Sequence, residues 1–553
     1  MKARQVMSAL ALASQPVVGY AVVNSSCASV TFANLTSSSV RFASLIPAGS
    51  NFTGDSTETS YNTVQTDLPE SCRVALTVQT SGNSTARYEI WFPTTAAWNH
   101  RFLTVGNGGW AGGINYPDIV SGLKRGKLYT VISELVTDFE AGFATMSTDT
   151  GHNSTQNDAT WTNNTAAMID FGHRALHLST VAAKEALSVY YTAQPSFSYY
   201  AGCSTGGRQG WNEAQRYPLD FDGVLVGAPA NWMTRLPAWD IRVALEQFPT
   251  GKASNIPSTM WSVIHDAVLD QCDALDGVVD GILSDPTRCQ FHPEVLACGR
   301  SGVNSSSCLN TAQISNLKRI YQPWWEANNT KIFDGLQPGG EAGFSFLFNG
   351  ARPQFGIDFF RQAVVNDSTW DYSTIDAATV ALADSINPGG SNAYDPDLRP
   401  FQARSGKVME YHGFQDQVIP STASGTWYDK VISFYQDLNK TSEVEDFYRL
   451  FMVPGMQHCS GGDGAWVTGG VSQGGVLPEN NATEYSLLWS LIDWVENGSA
   501  PVSMIGTKYV DDTASLGVDF TRPFCRWPNV PIYGGNGNVT LAENWSCAEE
   551  GVY

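Results

Sequence analysis

The chain has 553 residues, 42% hydrophobic and 15% charged, which supplies a large core and excludes a disordered or collagen-like chain. With 53 acidic residues against 32 basic ones, the net charge is −21. That argues against a phosphate-binding surface and hence against nucleic-acid partners.

At the N-terminus, Lys2 and Arg4 precede a mostly apolar run over residues 6–18 that is too short to cross a bilayer. Gly19-Tyr20-Ala21 places small residues where a signal peptidase cuts, so residues 1–21 are expected to be a secretory signal. No later apolar run is long enough to span a membrane, and no apolar C-terminal tail signals a lipid anchor. Fourteen Asn-x-Ser/Thr sequons, among them Asn34, Asn51, Asn83, Asn153, Asn439 and Asn538, fit a secreted glycoprotein.

Residues 22–90 are rich in Ser, Thr and Val in short alternating runs and read as antiparallel strands, ending in one over 88–92. A strand over 102–105 runs into Gly106-Asn107-Gly108-Gly109-Trp110-Ala111-Gly112-Gly113, and another is expected over 129–136. Helical spacing of Met168, Phe171, Ala175, Leu178, Val181 and Leu187 predicts a helix over 167–191. A strand over 197–201, a helix over 206–217 and a buried strand over 221–226 follow. Residues 230–400 lose this alternation and carry Pro338-Gly339-Gly340 and Pro388-Gly389-Gly390 breaks. Alternation returns with strands over 407–411 and 447–453 and helices over 421–438 and 485–496, the last with Gly498 near its C-cap. This pattern predicts an α/β fold with a parallel sheet. Residues 22–228 and 401–553 would form the catalytic domain and 229–400 an inserted lid.

Gly202-Cys203-Ser204-Thr205-Gly206 matches G-x-S-x-G between a predicted strand and a predicted helix, the setting of a nucleophile elbow. Asp416 lies just past the 407–411 strand and His458 just past the 447–453 strand, so Ser204, Asp416 and His458 follow the chain order of an α/β-hydrolase triad. His458 would take the Ser204 proton, and Asp416 would fix the imidazole. Thr205 N–H and one of Gly108 or Gly109 in the Gly-rich loop are the expected oxyanion donors. His412 reads as a loop-packing residue near Asp416. His173 and His177 lie four apart on a helix, but no third metal ligand stands out, so a scaffold role is expected.

All ten cysteines follow Ala21, and an even count in a secreted chain favours disulfides. Spacing alone does not settle their pairing, although neighbours suggest 272–289, 298–308 and 525–547. Cys203 precedes the nucleophile and Cys459 follows the base, so contact between Ser204 and His458 would bring these two within bridging reach.

Gly202-Cys203-Ser204-Thr205-Gly206-Gly207-Arg208-Gln209-Gly210, Tyr411-His412-Gly413-Phe414-Gln415-Asp416 and Gly455-Met456-Gln457-His458-Cys459 resemble three blocks of the fungal tannase and feruloyl esterase family. The likeness extends over nearly the whole chain after the signal, including Gly106-Asn107-Gly108-Gly109 and Asp493-Trp494-Val495-Glu496-Asn497-Gly498. It implies an α/β-hydrolase fold with a large inserted lid. It also implies disulfides Cys203–Cys459, Cys27–Cys72, Cys272–Cys289, Cys298–Cys308 and Cys525–Cys547. A structural Ca2+ would sit in the lid on Asp273, Asp276 and Asp280 with the Val278 and Ile282 carbonyls, an all-oxygen shell of the kind calcium accepts. No organic cofactor is expected.

The implied activity is a secreted serine carboxylesterase for aromatic acid esters working through an acyl-enzyme. The lean is toward feruloyl (hydroxycinnamoyl) esters of plant cell-wall arabinoxylan, with gallate esters of tannins as the alternative. The partner would be a small aromatic ester or a feruloylated polysaccharide, with no membrane, and a homodimer is allowed. A protease on the same scaffold and a catalytically silent binding protein are the remaining readings.

Overall fold

The computed structural model describes Cys27, Phe32 and residues 35–549, apart from 126, 129–130, 133–134, 137–138, 141, 475, 477 and 479–481. The expected signal segment lies outside these residues. Nine strands form the main sheet: β1 (Ser38–Ile46), β2 (Ser71–Ser81), β3 (Ser84–Pro93), β4 (Trp98–Val105), β5 (Gly142–Thr148), β6 (Phe197–Cys203), β7 (Gly223–Gly227), β8 (Lys407–Gly413) and β9 (Tyr448–Val453). Their spatial order is β1-β2-β3-β5-β4-β6-β7-β8-β9. The pairs from β1 to β5 are antiparallel. Every pair from β5 through β9 is parallel.

Side chains alternate across the sheet as a two-residue period requires. Phe102, Tyr200, Val224, Val408 and Leu450 enter one core. That core is covered by α2 (Ala175–Tyr191), α3 (Thr205–Arg216) and α4 (Thr422–Asp437), through Leu187, Trp211 and Trp427. Leu103, Tyr199, Leu225, Met409 and Phe451 enter the opposite core. There α1 (Tyr116–Lys124) and α5 (Leu487–Asn497) cover them with Ile119, Leu123, Leu488 and Leu491. Both faces of the parallel part are thus buried, which is why its strands read as apolar runs. Gly498, at φ +78°, ends α5 as the sequence predicts.

One expected strand is corrected. Within the 129–136 stretch the described residues form a two-residue ladder, Val131–Ile132 against Leu135–Val136, outside the main sheet. The sheet strand is instead β5, in which small and hydroxyl side chains flank Phe143 and Met146 and every residue is buried. The 167–191 helix also has a break. Residues Asp170–Arg174 form a π-helical turn between Thr165–Ile169 and α2.

Residues 228–406 add no strand to the main sheet. They pack around their own core, in which Trp261 meets Phe344 edge-on at 5.5 Å, and this core extends to Trp110 and Phe171 of the catalytic side. Disulfides join Cys27–Cys72, Cys203–Cys459, Cys272–Cys289, Cys298–Cys308 and Cys525–Cys547. These are the five pairs expected. No helix among the described residues is long and apolar enough to cross a membrane.

Candidate active site

Ser204 sits between the end of β6 and the start of α3 with φ +64° and ψ −123°, a strained backbone for a residue with a side chain. The neighbouring glycines make the turn possible. A Cβ on Gly202 would lie 2.6 Å from the Gly206 backbone carbonyl, and one on Gly207 would lie 2.5 Å from the Gly227 oxygen. Ser204 N–H donates to the Gly227 carbonyl at 2.9 Å, which ties the elbow to β7. Arg208, one turn into α3, is fully buried and donates to the Phe171, Gly172 and Ser391 carbonyls, so the elbow helix is moored to the π-turn and to the insertion. Burial pulls its pKa down to about 10.

Asp416 and His458 lie in the loops beyond β8 and β9. His458 Nδ1 is 2.7 Å from Asp416 Oδ2. The Val418 and Ile419 N–H groups each donate to Asp416 Oδ1 at 2.8 Å. Burial alone would push the Asp416 carboxyl up, but the charge and hydrogen bonds of His458 and His412 hold it well below the usual carboxylate range. The structure connects the base loop to the elbow through Cys203–Cys459, with Cα atoms 6.0 Å apart. Ser204 Oγ makes no hydrogen bond among the described residues.

His412 is more than the loop-packing residue the sequence suggests. It is fully buried, and its Nε2 lies 3.0 Å from the same Asp416 Oδ2 that meets His458. The Gly-rich loop separates the two oxyanion candidates. Gly108 N–H donates to the Tyr61 hydroxyl at 2.7 Å. Among the described residues the N–H groups of Gly109 and Thr205 have no backbone or side-chain acceptor. Tyr61 had no signal in the sequence, since it lies far from every motif. Beside this loop, the fully buried Trp110 packs against two half-buried rings, with centroids 6.2 Å from Trp161 and 5.2 Å from Phe355.

The lid segment offers oxygen donors of the expected type. Asp273 Oδ1 is buried without a hydrogen-bond partner, while Asp273 Oδ2 accepts from Gly281 N–H. Asp276 accepts from Val278 and Ser284 N–H groups, and burial raises its pKa. Asp280 Oδ2 is instead paired with Arg522 at 2.6 Å. An orphaned buried carboxylate oxygen among further carboxylates and Gly turns is what a hard cation would satisfy, so the residues fit calcium.

The structure also supplies companions for His177 that the sequence did not reveal. Its Nδ1 hydrogen-bonds Asp220 at 2.6 Å, and the Glu213 carboxylate lies within 4.8 Å of both. His173 bonds the Tyr217 hydroxyl at 2.6 Å. The further carboxylates that the sequence reading did not find are therefore present beside His177, whose ring also stacks on Tyr217 at 3.7 Å.

Residues 72–548 match the family model for tannase and feruloyl esterase. The chain belongs to the tannase and feruloyl esterase family. As a member it is a carboxylic ester hydrolase. A probable feruloyl esterase B-2 of Aspergillus terreus is 36% identical over 512 residues, covering 92% of each chain. The crystal structure of feruloyl esterase B from Aspergillus oryzae is 33% identical with a TM-score of 0.83, covering 93% of this chain and 97% of that one. A tannin acyl hydrolase from Aspergillus niger shares the fold, with a TM-score of 0.69 at 21% identity and coverage of 93% and 92%.

Proposed function

We propose that the protein is a secreted serine esterase that cleaves hydroxycinnamoyl esters, the feruloyl groups of plant cell-wall polysaccharides being the natural class. The observation that carries the reading is the disulfide between the residue before Ser204 and the residue after His458, together with the 2.7 Å contact of His458 to Asp416. Ser204 Oγ attacks the ester carbonyl while His458 Nε2 takes its proton. The tetrahedral oxyanion is held by the Gly109 and Thr205 N–H groups, with the N-terminus of α3 adding its positive dipole end. His458 returns the proton to the leaving alcohol, and the acyl group remains on Ser204. Water, deprotonated by His458, then releases the acid and restores Ser204. The half-buried Trp161 and Phe355, backed by the buried Trp110, would take the aromatic ring.

Calcium, held by Asp273, Asp276 and Asp280 with the Val278 and Ile282 carbonyls, would supply rigidity to the lid. Secretion and glycosylation are supported by the sequons. Of the eleven sequon asparagines among the described residues only Asn544 is not exposed, so attached sugars would meet solvent rather than the core.

Feruloyl over galloyl preference is supported by relatives named feruloyl esterase B at 35–36% identity. Parallel hydrolysis of methyl ferulate and methyl gallate, with Ser204→Ala as control, tests the reading. A ferulate preference abolished by Ser204→Ala supports it. A gallate preference would make the protein a tannase, and an active Ser204→Ala would overturn the triad.

A further inference from the structure

The Asp416 carboxylate serves two imidazoles through one oxygen. Oδ2 lies 2.7 Å from His458 Nδ1 and 3.0 Å from His412 Nε2. A histidine that only filled space would not need to aim at the oxygen that orients the base. His412 Nε2 faces acceptors alone, Asp416 Oδ2 and the Ile419 carbonyl at 3.2 Å, so it carries a hydrogen. On its other side Nδ1 is 2.7 Å from the Ser424 hydroxyl on α4. The imidazole is therefore gripped at both nitrogens, in a place with no access to solvent.

We propose that His412 is a positioning residue for the ester hydrolysis. Its Nε2–H fixes Asp416 on the line to His458 and draws off part of the charge that would otherwise act on His458. This rests on the triad reading above. Charged and titratable groups surround His412. Asp416 and, beyond it, His458 lie on one side. Ser424 lies on the other and also faces Glu410 of β8, whose carboxyl burial pushes to about 7 and which is bonded by Tyr448 and Trp211. From the insertion, Lys331 and Asp334, paired at 2.7 Å, line the cavity beside Ser424. While Glu410 keeps its proton, the Ser424 hydroxyl has Nδ1 as its acceptor. An N–H donor on Asp416 Oδ2 competes with His458 Nδ1–H for the same oxygen.

The test is the pH profile of kcat/KM on methyl ferulate for wild type, His412→Phe, His412→Gln and Ser424→Ala, with Tm measured alongside. In His412→Phe the carboxylate acts on His458 at full strength. The acid limb is expected to move up by about half a unit or more, and kcat to fall about 10- to 100-fold with little change in KM, as for loss of one hydrogen bond to a charged group. His412→Gln, whose amide N–H reaches to the position of Nε2, is expected to restore the acid limb and most of kcat. Ser424→Ala, which releases Nδ1, is expected to move the limb part of the way. If His412→Phe does not fold, the other two variants decide. An acid limb unmoved in Ser424→Ala and His412→Phe, or His412→Gln no better than His412→Phe, overturns the proposal. An active Ser204→Ala would instead point to failure of the triad itself.

Discussion

The Gly108 N–H ends on the Tyr61 hydroxyl at 2.7 Å, so a side chain from the segment ahead of β2 braces the loop that carries Gly109. That segment is itself pinned, since the buried Glu58 accepts from Ser60 and Gln156 N–H groups at 3.0 and 2.7 Å. Gly109, at φ +52°, has no room for a side chain, because a Cβ would lie 2.5 Å from the Gln156 carbonyl oxygen. Burial raises the Tyr61 pKa, which keeps the phenol neutral and able to accept. Tyr61→Phe is expected to lower kcat about 3- to 10-fold, the effect of losing one neutral hydrogen bond that orders the oxyanion loop. Steady-state kinetics on methyl ferulate check this, and unchanged kcat would mean the loop holds its shape without the hydroxyl.

Replacing both Cys203 and Cys459 with Ser removes the link between elbow and base loop but leaves the two cores intact. We expect kcat/KM to fall about 100-fold, as for a small misplacement of reacting groups, with a much smaller loss of Tm. Parallel activity and thermal melts decide the point, and fold and activity lost together would show that the bridge holds up the domain rather than the site.

Chelation with EGTA should lower Tm, and added Ca2+ should restore it. A hundredfold excess of ion over Kd corresponds to about 3 kcal/mol of stabilisation. Asp273→Asn should abolish the response, since it neutralises the orphaned buried oxygen. Melts that ignore both chelator and ion would remove calcium from the lid.

Asp240, in the insertion, is buried, and burial raises its pKa to about 7. Its folded pKa therefore lies above the unfolded value of about 3.9. The folded state holds the proton more tightly, so the associated stability is complete below about pH 4 and is lost as pH rises toward 7. Asp240→Asn should flatten that window. Urea unfolding at pH 5 and pH 7 should show a smaller drop for the variant than for wild type.

The parts of the site that follow a local rule were legible in the sequence. Ser204 lies in a five-residue turn, and Asp416 and His458 each follow a short strand that reads as a largely apolar run. The five disulfide pairs were read partly from spacing and from the triad, and fully only through the family likeness. Tyr61 and the role of His412 were not legible, because each depends on where a distant chain segment comes to rest. β5 was missed for a physical reason. With both faces buried and many Thr, Ser, Ala and Gly residues, it lacks the periodicity that marks a half-exposed strand, whereas 129–136 is rich in β-branched and aromatic residues and its described residues form only a two-residue ladder outside the sheet.

β7 and β8 are hydrogen-bonded neighbours, Gly223 opposite Lys407, with the whole of residues 228–406 between them. During synthesis β7 leaves the ribosome with one edge open, and at usual elongation rates its partner follows only after on the order of ten seconds or more. Until then an apolar strand that is fully buried in the finished protein offers its backbone to any passing chain. Folding yield should therefore depend on how long that edge is shielded, and fragments ending before residue 407 should aggregate even though they contain the complete nucleophile elbow.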